Sequence, residues 1–268
     1  MHEWPIRLTA ALFTALLAAC GQDRHNATII EVNATNMNKP DTGREVIHNP
    51  SKQKDIRHAI IWLHGLGATA DDFPPVVPHL GLSNDRAIRF VFPQAPKRPV
   101  TINGGMVMPA WYDIGGTSIE EKQDREGMQH SQQILESLVN EQITAGVPAQ
   151  NIIAAGFSQG GAVAYYTALR SRHRLGGILA LSTYLPFARE AIDEHSGVNL
   201  DTPIFAAHGE IDPMVPIAMG KNSAEALGAM GYKVEWKTYR MAHEVVMQEL
   251  VDIGAWINRI FSDKENAD

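Results

Sequence analysis

Residues 152–164 read IIAAGFSQGGAVA, and this stretch gives the clearest indication of the fold. It begins with a short apolar run that is typical of a buried strand, and its Ala-rich end is typical of a helix. Between them, the pattern Gly-x-Ser-x-Gly predicts the sharp turn called a nucleophile elbow, with Ser158 at its tip. Gly156 and Gly160 allow the strand and the helix to approach closely, where larger side chains would clash. We therefore predict that Ser158 is a nucleophile presented at the edge of a sheet.

Two backbone amides near Ser158 are candidates for an oxyanion hole. The helix that begins after Ser158 points its first N–H groups towards the turn, so the amide of Gln159 is one candidate donor to the charge that develops during acyl transfer. The other is the amide of Leu66, in the glycine-rich loop 64–69 that follows an apolar strand predicted at 59–63. A plain glycine-rich turn is the alternative interpretation of that loop.

An acid and a histidine follow Ser158 along the chain. Asp212 comes just after a strand predicted at 203–207, and His243 precedes the last predicted helix, 245–260. Taken alone, an Asp before a proline is more typical of a turn, and a histidine at this place is more typical of a helix cap or a surface residue. The order Ser, Asp, His at the ends of strands instead predicts a catalytic triad.

Strands and helices alternate along the rest of the chain. This alternation predicts an α/β fold with a mostly parallel central sheet and helices on both faces, and it gathers the candidate residues at the carboxyl ends of the strands. The further predicted strands are 45–48, 88–93, 177–181 and 233–239, and the further predicted helices are 71–80, 124–145 and 217–230.

Residues 94–117 form a long stretch without a predicted helix or strand, rich in Pro, Gly and Met. Loops of this length inside a compact domain are usually functional or disordered, and flexible apolar side chains suit an acyl-binding wall. We therefore predict substrate contacts from Met106, Met108 and Trp111, and from Leu185 in the turn after the strand 177–181. The alternative is a loop whose aromatic side chains pin it to the core.

The composition excludes several classes of function. A chain of 268 residues with 44% hydrophobic and 20% charged residues is typical of one large globular domain. Its net charge of -7 and the lack of a basic cluster argue against a nucleic-acid partner. His64 has no second ligand at metal spacing, so we predict neither a metal site nor a cofactor.

The N-terminal segment is typical of an exported protein. Arg7 precedes a mostly apolar run, 8–19, that is too short to span a membrane but fits the core of a signal peptide. The sequence Leu-Ala-Ala-Cys-Gly at 17–21 resembles a bacterial lipoprotein lipobox, in which cleavage leaves Cys20 as a lipid-modified first residue. An ordinary secretory signal with an accidental cysteine is the alternative. We predict a signal peptide at 1–19, a lipidated N terminus and flexible tether at 20–44, a folded domain at 45–262 and a polar tail at 263–268.

The ordered motifs resemble the phospholipase/carboxylesterase family, which includes small bacterial carboxylesterases and acyl-protein thioesterases. The resemblance extends over residues 45–260 and rests on the motifs WLHGLG at 62–67, FPQAP at 92–96, NGGM at 103–106, WYD at 111–113 and GFSQGG at 156–161, and on the Asp212 and His243 loops.

This resemblance implies an α/β-hydrolase fold without a large cap domain. It also implies a triad of Ser158, Asp212 and His243, with Asp212 rather than Glu210 as the acid, and an oxyanion hole at Leu66 and Gln159. The N-terminal segment departs from the family, whose members are commonly cytosolic.

We therefore predict a serine carboxylesterase that cleaves carboxylic esters through an acyl-enzyme, with thioesters and lysophospholipids as further candidate substrates. Its expected partners are a small ester or acyl substrate and, through the lipid on Cys20, a membrane of the bacterial cell envelope, on the periplasmic or outer-membrane face. The alternatives are a serine peptidase or amidase on the same triad, and a non-catalytic envelope lipoprotein with a hydrolase fold. The sequence leaves acyl-chain length and oligomeric state open, a homodimer included.

Overall fold

The structure of this chain is a computed structural model that describes residues 43–49, 51, 56–116 and 122–265. Cys20, the predicted signal peptide and all but the end of the predicted tether lie outside the described residues.

Among the described residues, seven strands form the central sheet: β1 Arg44–His48, β2 His58–Leu63, β3 Ile88–Phe92, β6 Ile152–Phe157, β7 Gly177–Leu181, β8 Ile204–Gly209 and β9 Val234–Tyr239. Their order in the sheet is β1-β3-β2-β6-β7-β8-β9. Only β1 is antiparallel to its neighbour, and the other pairs are parallel, as the alternation of strands and helices predicts. The α/β-hydrolase fold expected from the sequence is therefore confirmed.

Helices cover both faces of this sheet. Because side chains alternate along a strand, Ala59, Ile61 and Leu63 of β2 pack on one face while Ile60 and Trp62 pack on the other. The first face is covered by α1 Arg125–Thr144, α2 Gln159–Arg170, α3 Ala188–Glu194 and α4 Ile217–Ala229, and the second by α5 Met247–Glu265 and the 3-10 helix Pro74–His79. Burial of each large apolar side chain contributes about 1.5–3 kcal/mol to the stability of the fold, so the two layers of helices stabilise the sheet.

The structure corrects the prediction of a structureless loop at 94–117. This segment contains a two-stranded hairpin of β4 Lys97–Val100 and β5 Met106–Pro109, joined by the 3-10 turn Thr101–Asn103. Each strand has only four residues and both contain a proline, so neither shows the alternation that predicts a strand.

Smaller differences concern the ends of elements. The predicted helix at 71–80 is the shorter 3-10 helix Pro74–His79, whose prolines lack the N–H groups that an α-helix needs. The stretch 188–201, which showed weak periodicity, begins with the short helix α3. The last helix, α5, continues to Glu265, into the predicted polar tail. Within the described residues, none of the helices combines the length and apolar character needed to cross a membrane.

Candidate active site

Ser158 lies at the tip of a strained turn between β6 and α2. Its backbone has φ 53° and ψ −119°, a conformation that residues other than glycine rarely adopt and that must be held by its surroundings. Its N–H donates to the carbonyl of Leu181 at 2.8 Å, and its carbonyl accepts from the hydroxyl of Thr183 at 2.7 Å. The end of β7 therefore braces the elbow that β6 begins.

The two glycines of the elbow have no room for a side chain. A Cβ atom at Gly156 would lie 2.2 Å from the carbonyl carbon of Gly160, and one at Gly160 would lie 2.4 Å from the carbonyl oxygen of Leu63. The close approach predicted from the pattern Gly-x-Ser-x-Gly is therefore present, and it leaves Ser158 half-buried at the carboxyl edge of the sheet.

Asp212 and His243 are brought together by the loops after β8 and β9. The Nδ1 atom of His243 lies 2.7 Å from the Oδ2 atom of Asp212, and the Oδ1 atom of Asp212 accepts the backbone N–H groups of Met214 at 2.8 Å and Val215 at 2.9 Å. An ionised carboxylate only accepts hydrogen bonds, so the proton of His243 resides on Nδ1 and the Nε2 atom of the neutral ring is left as a base.

The electrostatics of this pair favour an ionised acid. Burial by itself raises the pKa of Asp212, but the hydrogen bond from His243, its charge when protonated and the two backbone amides outweigh burial and bring the pKa below the usual value. Glu210 is placed elsewhere: its side chain is exposed and accepts from the hydroxyl of Thr238 at 3.2 Å. Of the two carboxylates, only that of Asp212 reaches the imidazole.

Backbone contacts join the acid loop to the histidine loop. The N–H of Glu210 donates to the carbonyl of Tyr239 at 2.9 Å, and that of Ile211 donates to the carbonyl of Met241 at 3.2 Å. Gly209 is required at this crossing, because a Cβ atom there would lie 2.2 Å from the carbonyl oxygen of Ala242. The two loops therefore form one rigid unit, which fixes the distance between the acid and the histidine.

This unit lies against the elbow. The ring of His243 packs on that of Phe157, the residue before Ser158, with 4.7 Å between the ring centroids. From the other side, the loop after β2 approaches Ser158 at Gly65, where an added Cβ atom would lie 3.5 Å from the Cβ atom of Ser158. The three loops named from the sequence therefore converge on Ser158.

The two predicted oxyanion donors belong to segments next to the elbow. Gln159 is the first residue of α2, where backbone N–H groups have no acceptor within the helix. Leu66 lies between Gly65 and Gly67 in the loop after β2, and the N–H of Gly67 donates to the carbonyl of Pro109 at 2.8 Å. Both amides are therefore at the carboxyl edge of the sheet, next to the elbow.

The predicted substrate-binding residues do not form one exposed wall. Trp111 has 0% exposure, and its indole N–H donates to the carbonyl of His64 at 2.8 Å. Leu185 and Met108 are also buried, whereas Met106 is 46% exposed on the hairpin. The prediction that Trp111 lines an acyl wall is corrected, because a side chain without exposed surface cannot meet a substrate, and the alternative of an aromatic residue that pins its segment to the core describes it.

Two polar side chains of the site were not identified from the sequence. The side chain of Gln159 accepts the backbone N–H of Trp111 at 2.8 Å and donates to the carbonyl of Tyr112 at 2.7 Å. His208, fully buried at the end of β8, uses Nε2 to donate to the carbonyl of Val215 at 2.8 Å, and burial lowers its pKa so that the ring is neutral. The signal for His208 was its place just before the Gly209 turn, but nothing local indicates the partner of Gln159.

The part of the chain that the structure describes contains no group of three or more His, Cys, Asp or Glu side chains arranged to hold a metal ion. The loops next to Ser158 carry an imidazole paired with a carboxylate, and the backbone amides of Leu66 and Gln159 belong to segments beside the elbow. Groups of this kind can transfer protons and stabilise an oxyanion, as acyl transfer requires.

Several known proteins resemble this chain in sequence and in fold. A family model described as phospholipase/carboxylesterase matches residues 43–261. The acyl-protein thioesterase 1 of Gibberella zeae is 37% identical over 209 residues, which cover 75% of this chain and 89% of that protein. The protein of the same name from Candida albicans is 38% identical over 224 residues, which cover 80% of this chain and 96% of that protein. The crystal structure of Arabidopsis thaliana SOBER1 is similar with a TM-score of 0.72 and 30% identity, and the match covers 76% of this chain and 99% of that one.

Proposed function

Because the chain belongs to the phospholipase/carboxylesterase family and is therefore a serine hydrolase that acts on esters or thioesters, we propose that Ser158, His243 and Asp212 are its catalytic triad. The observation that carries the proposal is the 2.7 Å hydrogen bond between His243 and Asp212, in loops that pack against the strained elbow of Ser158.

In the proposed reaction, the Nε2 atom of His243 takes the proton of the Ser158 hydroxyl as its oxygen attacks the carbonyl carbon of the substrate. The amides of Leu66 and Gln159 donate to the oxyanion that forms. His243 then gives the proton to the leaving alcohol or thiol, the bond to that group breaks, and the acyl chain stays on Ser158. Water, activated by the same histidine, releases the acid and restores the serine.

Asp212 acts through His243. Its carboxylate holds the proton on Nδ1, which keeps Nε2 available as the base, and its negative charge stabilises the imidazolium that forms during each half-reaction. The amides of Met214 and Val215 keep this acid ionised and fixed in the loop.

Covalent labelling with a fluorophosphonate tests the nucleophile. The label is expected on Ser158 and nowhere else, and Ser158→Ala is expected to lower kcat by about 10⁶-fold. Ser182→Ala is the matched control, because Ser182 also directly follows a strand and has a positive φ of 45° but is fully buried. Full turnover of an ester by Ser158→Ala would contradict the assignment of the nucleophile, whereas a wild-type protein that takes up no label and cleaves no ester would favour the non-catalytic alternative.

Carboxylic esters are the proposed substrate class, with thioesters second because two relatives are named acyl-protein thioesterases. Rates on p-nitrophenyl esters of increasing chain length, on an acyl thioester and on a peptide anilide separate the candidates. Turnover of the anilide at a rate comparable to that of the esters would favour the peptidase or amidase alternative.

From the sequence at 17–21, we also propose that Cys20 carries a lipid that anchors the protein in the bacterial envelope. Cys20→Ser is expected to release the protein from the membrane fraction without a change in its ester turnover. Metabolic labelling with a fatty acid decides the question, and a wild-type protein that takes up no label would contradict the proposal.

A further inference from the structure

Residues 109–112, which we call the strap, connect the hairpin to the rest of the domain and lie against the loop that carries Leu66. The carbonyl of Pro109 accepts the N–H of Gly67 at 2.8 Å, and the indole N–H of Trp111 donates to the carbonyl of His64 at 2.8 Å. These two hydrogen bonds hold the loop on both sides of Leu66. The strap therefore limits how far the amide of Leu66 can move.

The same strap holds Gln159. The backbone N–H of Trp111 donates to the Oε1 atom of Gln159 at 2.8 Å, and the Nε2 atom of Gln159 donates to the carbonyl of Tyr112 at 2.7 Å. This paired contact is like the one that joins two strands, and it fixes the residue whose own backbone amide is the second proposed oxyanion donor. On the far side, the hydroxyl of Ser131 on α1 donates to the carbonyl of Trp111.

The imidazole of His64 extends the network. The N–H of Ala95 donates to its Nε2 atom at 3.1 Å, so its proton resides on Nδ1, which donates to the carbonyl of Gly65 at 2.7 Å. Burial lowers the pKa of His64, which agrees with a neutral ring. The loop before Leu66 is therefore held at two consecutive carbonyls, one by Trp111 and one by His64.

We propose that Trp111 is a positioning residue for the oxyanion hole, because its indole N–H holds the loop of Leu66 and its backbone N–H holds Gln159. This inference rests on the proposed roles of those two amides. Oxyanion donors act when they are held about 2.7–3.1 Å from the developing charge, and a misplacement of about 1 Å can cost a factor of 10² in rate. Trp111 joins the two donors across two different loops without contact to the substrate.

Burial alone does not explain these hydrogen bonds. Trp62 is another buried tryptophan, and its indole N–H has no hydrogen-bond partner among the described residues. It packs on Phe73 on the opposite face of the sheet, with 5.0 Å between the ring centroids. The two tryptophans therefore offer a matched pair, in which the loss of an indole N–H affects the oxyanion hole at one position and only the core at the other.

The test compares Trp111→Phe with Trp62→Phe. Measured quantities are kcat and KM on a p-nitrophenyl ester, the inhibition constant of a trifluoromethyl ketone, which forms a tetrahedral oxyanion adduct, and the midpoint of thermal unfolding. Trp111→Phe is expected to lower kcat by about 10- to 100-fold and to leave KM within about 2-fold of wild type. Because the ketone adduct resembles the transition state, the inhibition constant of the ketone is expected to rise by the same factor by which kcat/KM falls. Trp62→Phe is expected to lower the unfolding midpoint with kcat and ketone affinity within about 2-fold of wild type.

A milder variant keeps the test informative if Trp111→Phe folds poorly. Ser131→Ala removes only the hydroxyl that donates to the carbonyl of Trp111, and it is expected to lower kcat and ketone affinity together by about 3-fold. Equal effects of the two tryptophan variants, each in proportion to lost stability, would overturn the positioning role while the serine hydrolase proposal stands. If Ser158→Ala keeps wild-type turnover, both proposals fall.

Discussion

Asp212 and Glu249 are two buried carboxylic acids whose surroundings drive them to opposite charge states. Asp212, 8% exposed in the loop after β8, accepts two backbone N–H groups and the imidazole of His243. Glu249, 0% exposed in the first turn of α5, has at most a weak contact with the amide of Val246 and no hydrogen bond of normal geometry to either oxygen among the described residues. The pKa of Asp212 lies below its usual value, whereas burial raises the pKa of Glu249 to about 8, aided by the nearby charge of Asp252 and only partly offset by the amide of Val246.

The difference shows that hydrogen-bond donors to the carboxylate, rather than the depth of its burial, decide the charge state of a buried acid. Both side chains have lost nearly all contact with water, and this loss alone would make each of them neutral. At Asp212 three donors surround the carboxylate, two amides of its own loop and the imidazole of His243, so the ionised form is retained. At Glu249 the helix supplies no comparable set, and the acid keeps its proton near neutral pH.

Among substitutions of these acids, the largest expected effect comes from removal of the charge at Asp212. Asp212→Asn is expected to lower kcat by about 10⁴-fold, because an amide group can donate to His243 and so favour the wrong tautomer. The fold is expected to survive, since the side-chain oxygen of Asn still accepts from the amides of Met214 and Val215. Ester turnover and circular dichroism together check this outcome, and wild-type turnover in a folded variant would remove Asp212 from the triad.

The elbow and the meeting of Asp212 with His243 could be predicted from the sequence, the elbow for a local reason. Ser158 and the two glycines that allow its turn lie within five consecutive residues, and the small residues needed for the close approach are visible in that pattern. Asp212 and His243 are far from Ser158 in sequence, but their places after β8 and β9 bring them to the same edge of a parallel sheet. The topology of the sheet therefore predicts that Asp212 and His243 lie close to Ser158, which the local sequence does not show.

The hairpin and the strap could not be predicted, because long-range contacts form them. The carboxylate of Asp113 accepts the backbone N–H of Thr101 at 2.7 Å and the hydroxyl of Thr101 at 2.6 Å, which ties the turn of the hairpin to a residue beyond its second strand. The length and composition of the segment 94–117 predict Trp111 as part of an acyl wall. Its actual partners, His64 and Gln159, lie about 50 residues away in both directions.

The buried position of Glu249, in contrast, is indicated by the sequence of α5. It precedes Ile253 by four residues and Trp256 by seven, so it lies on the core face of α5 with them. A charged residue at this spacing within an apolar stripe indicates a buried acid whose pKa is raised unless donors surround it.

Glu249→Gln is expected to change stability where Asp212→Asn changes rate. The folded state keeps the proton of Glu249 up to about pH 8, whereas the unfolded chain releases it near the ordinary value of 4.5, so the free energy of unfolding falls as pH rises across this window. Glutamine cannot ionise, and the variant is expected to gain stability relative to wild type from pH 5 to pH 8, by a few kcal/mol in order of magnitude.

Urea unfolding of both proteins across this pH range measures the difference directly. The matched control is Glu225→Gln on α4, an exposed side chain paired with Lys221 at 3.8 Å, which is expected to change stability by less than about 0.5 kcal/mol at every pH. A difference between Glu249→Gln and wild type that stays constant from pH 5 to pH 8 would mean that Glu249 is ionised in the fold, and the contrast with Asp212 would then disappear.

The smallest expected effect belongs to Glu210, the acid two residues before Asp212, and it is the sharpest test of the contrast because sequence distance hardly separates the two. Glu210 is exposed, and its only side-chain hydrogen bond among the described residues is the 3.2 Å contact with Thr238, which water can replace. Its backbone N–H still donates to Tyr239 after substitution, so the loop keeps its path. Glu210→Gln is therefore expected to keep kcat within about 2-fold and stability within about 0.5 kcal/mol of wild type. If this variant instead lost turnover in a folded protein while Asp212→Asn kept it, the orienting acid would be Glu210, and the donors around Asp212 would serve only to hold the loop.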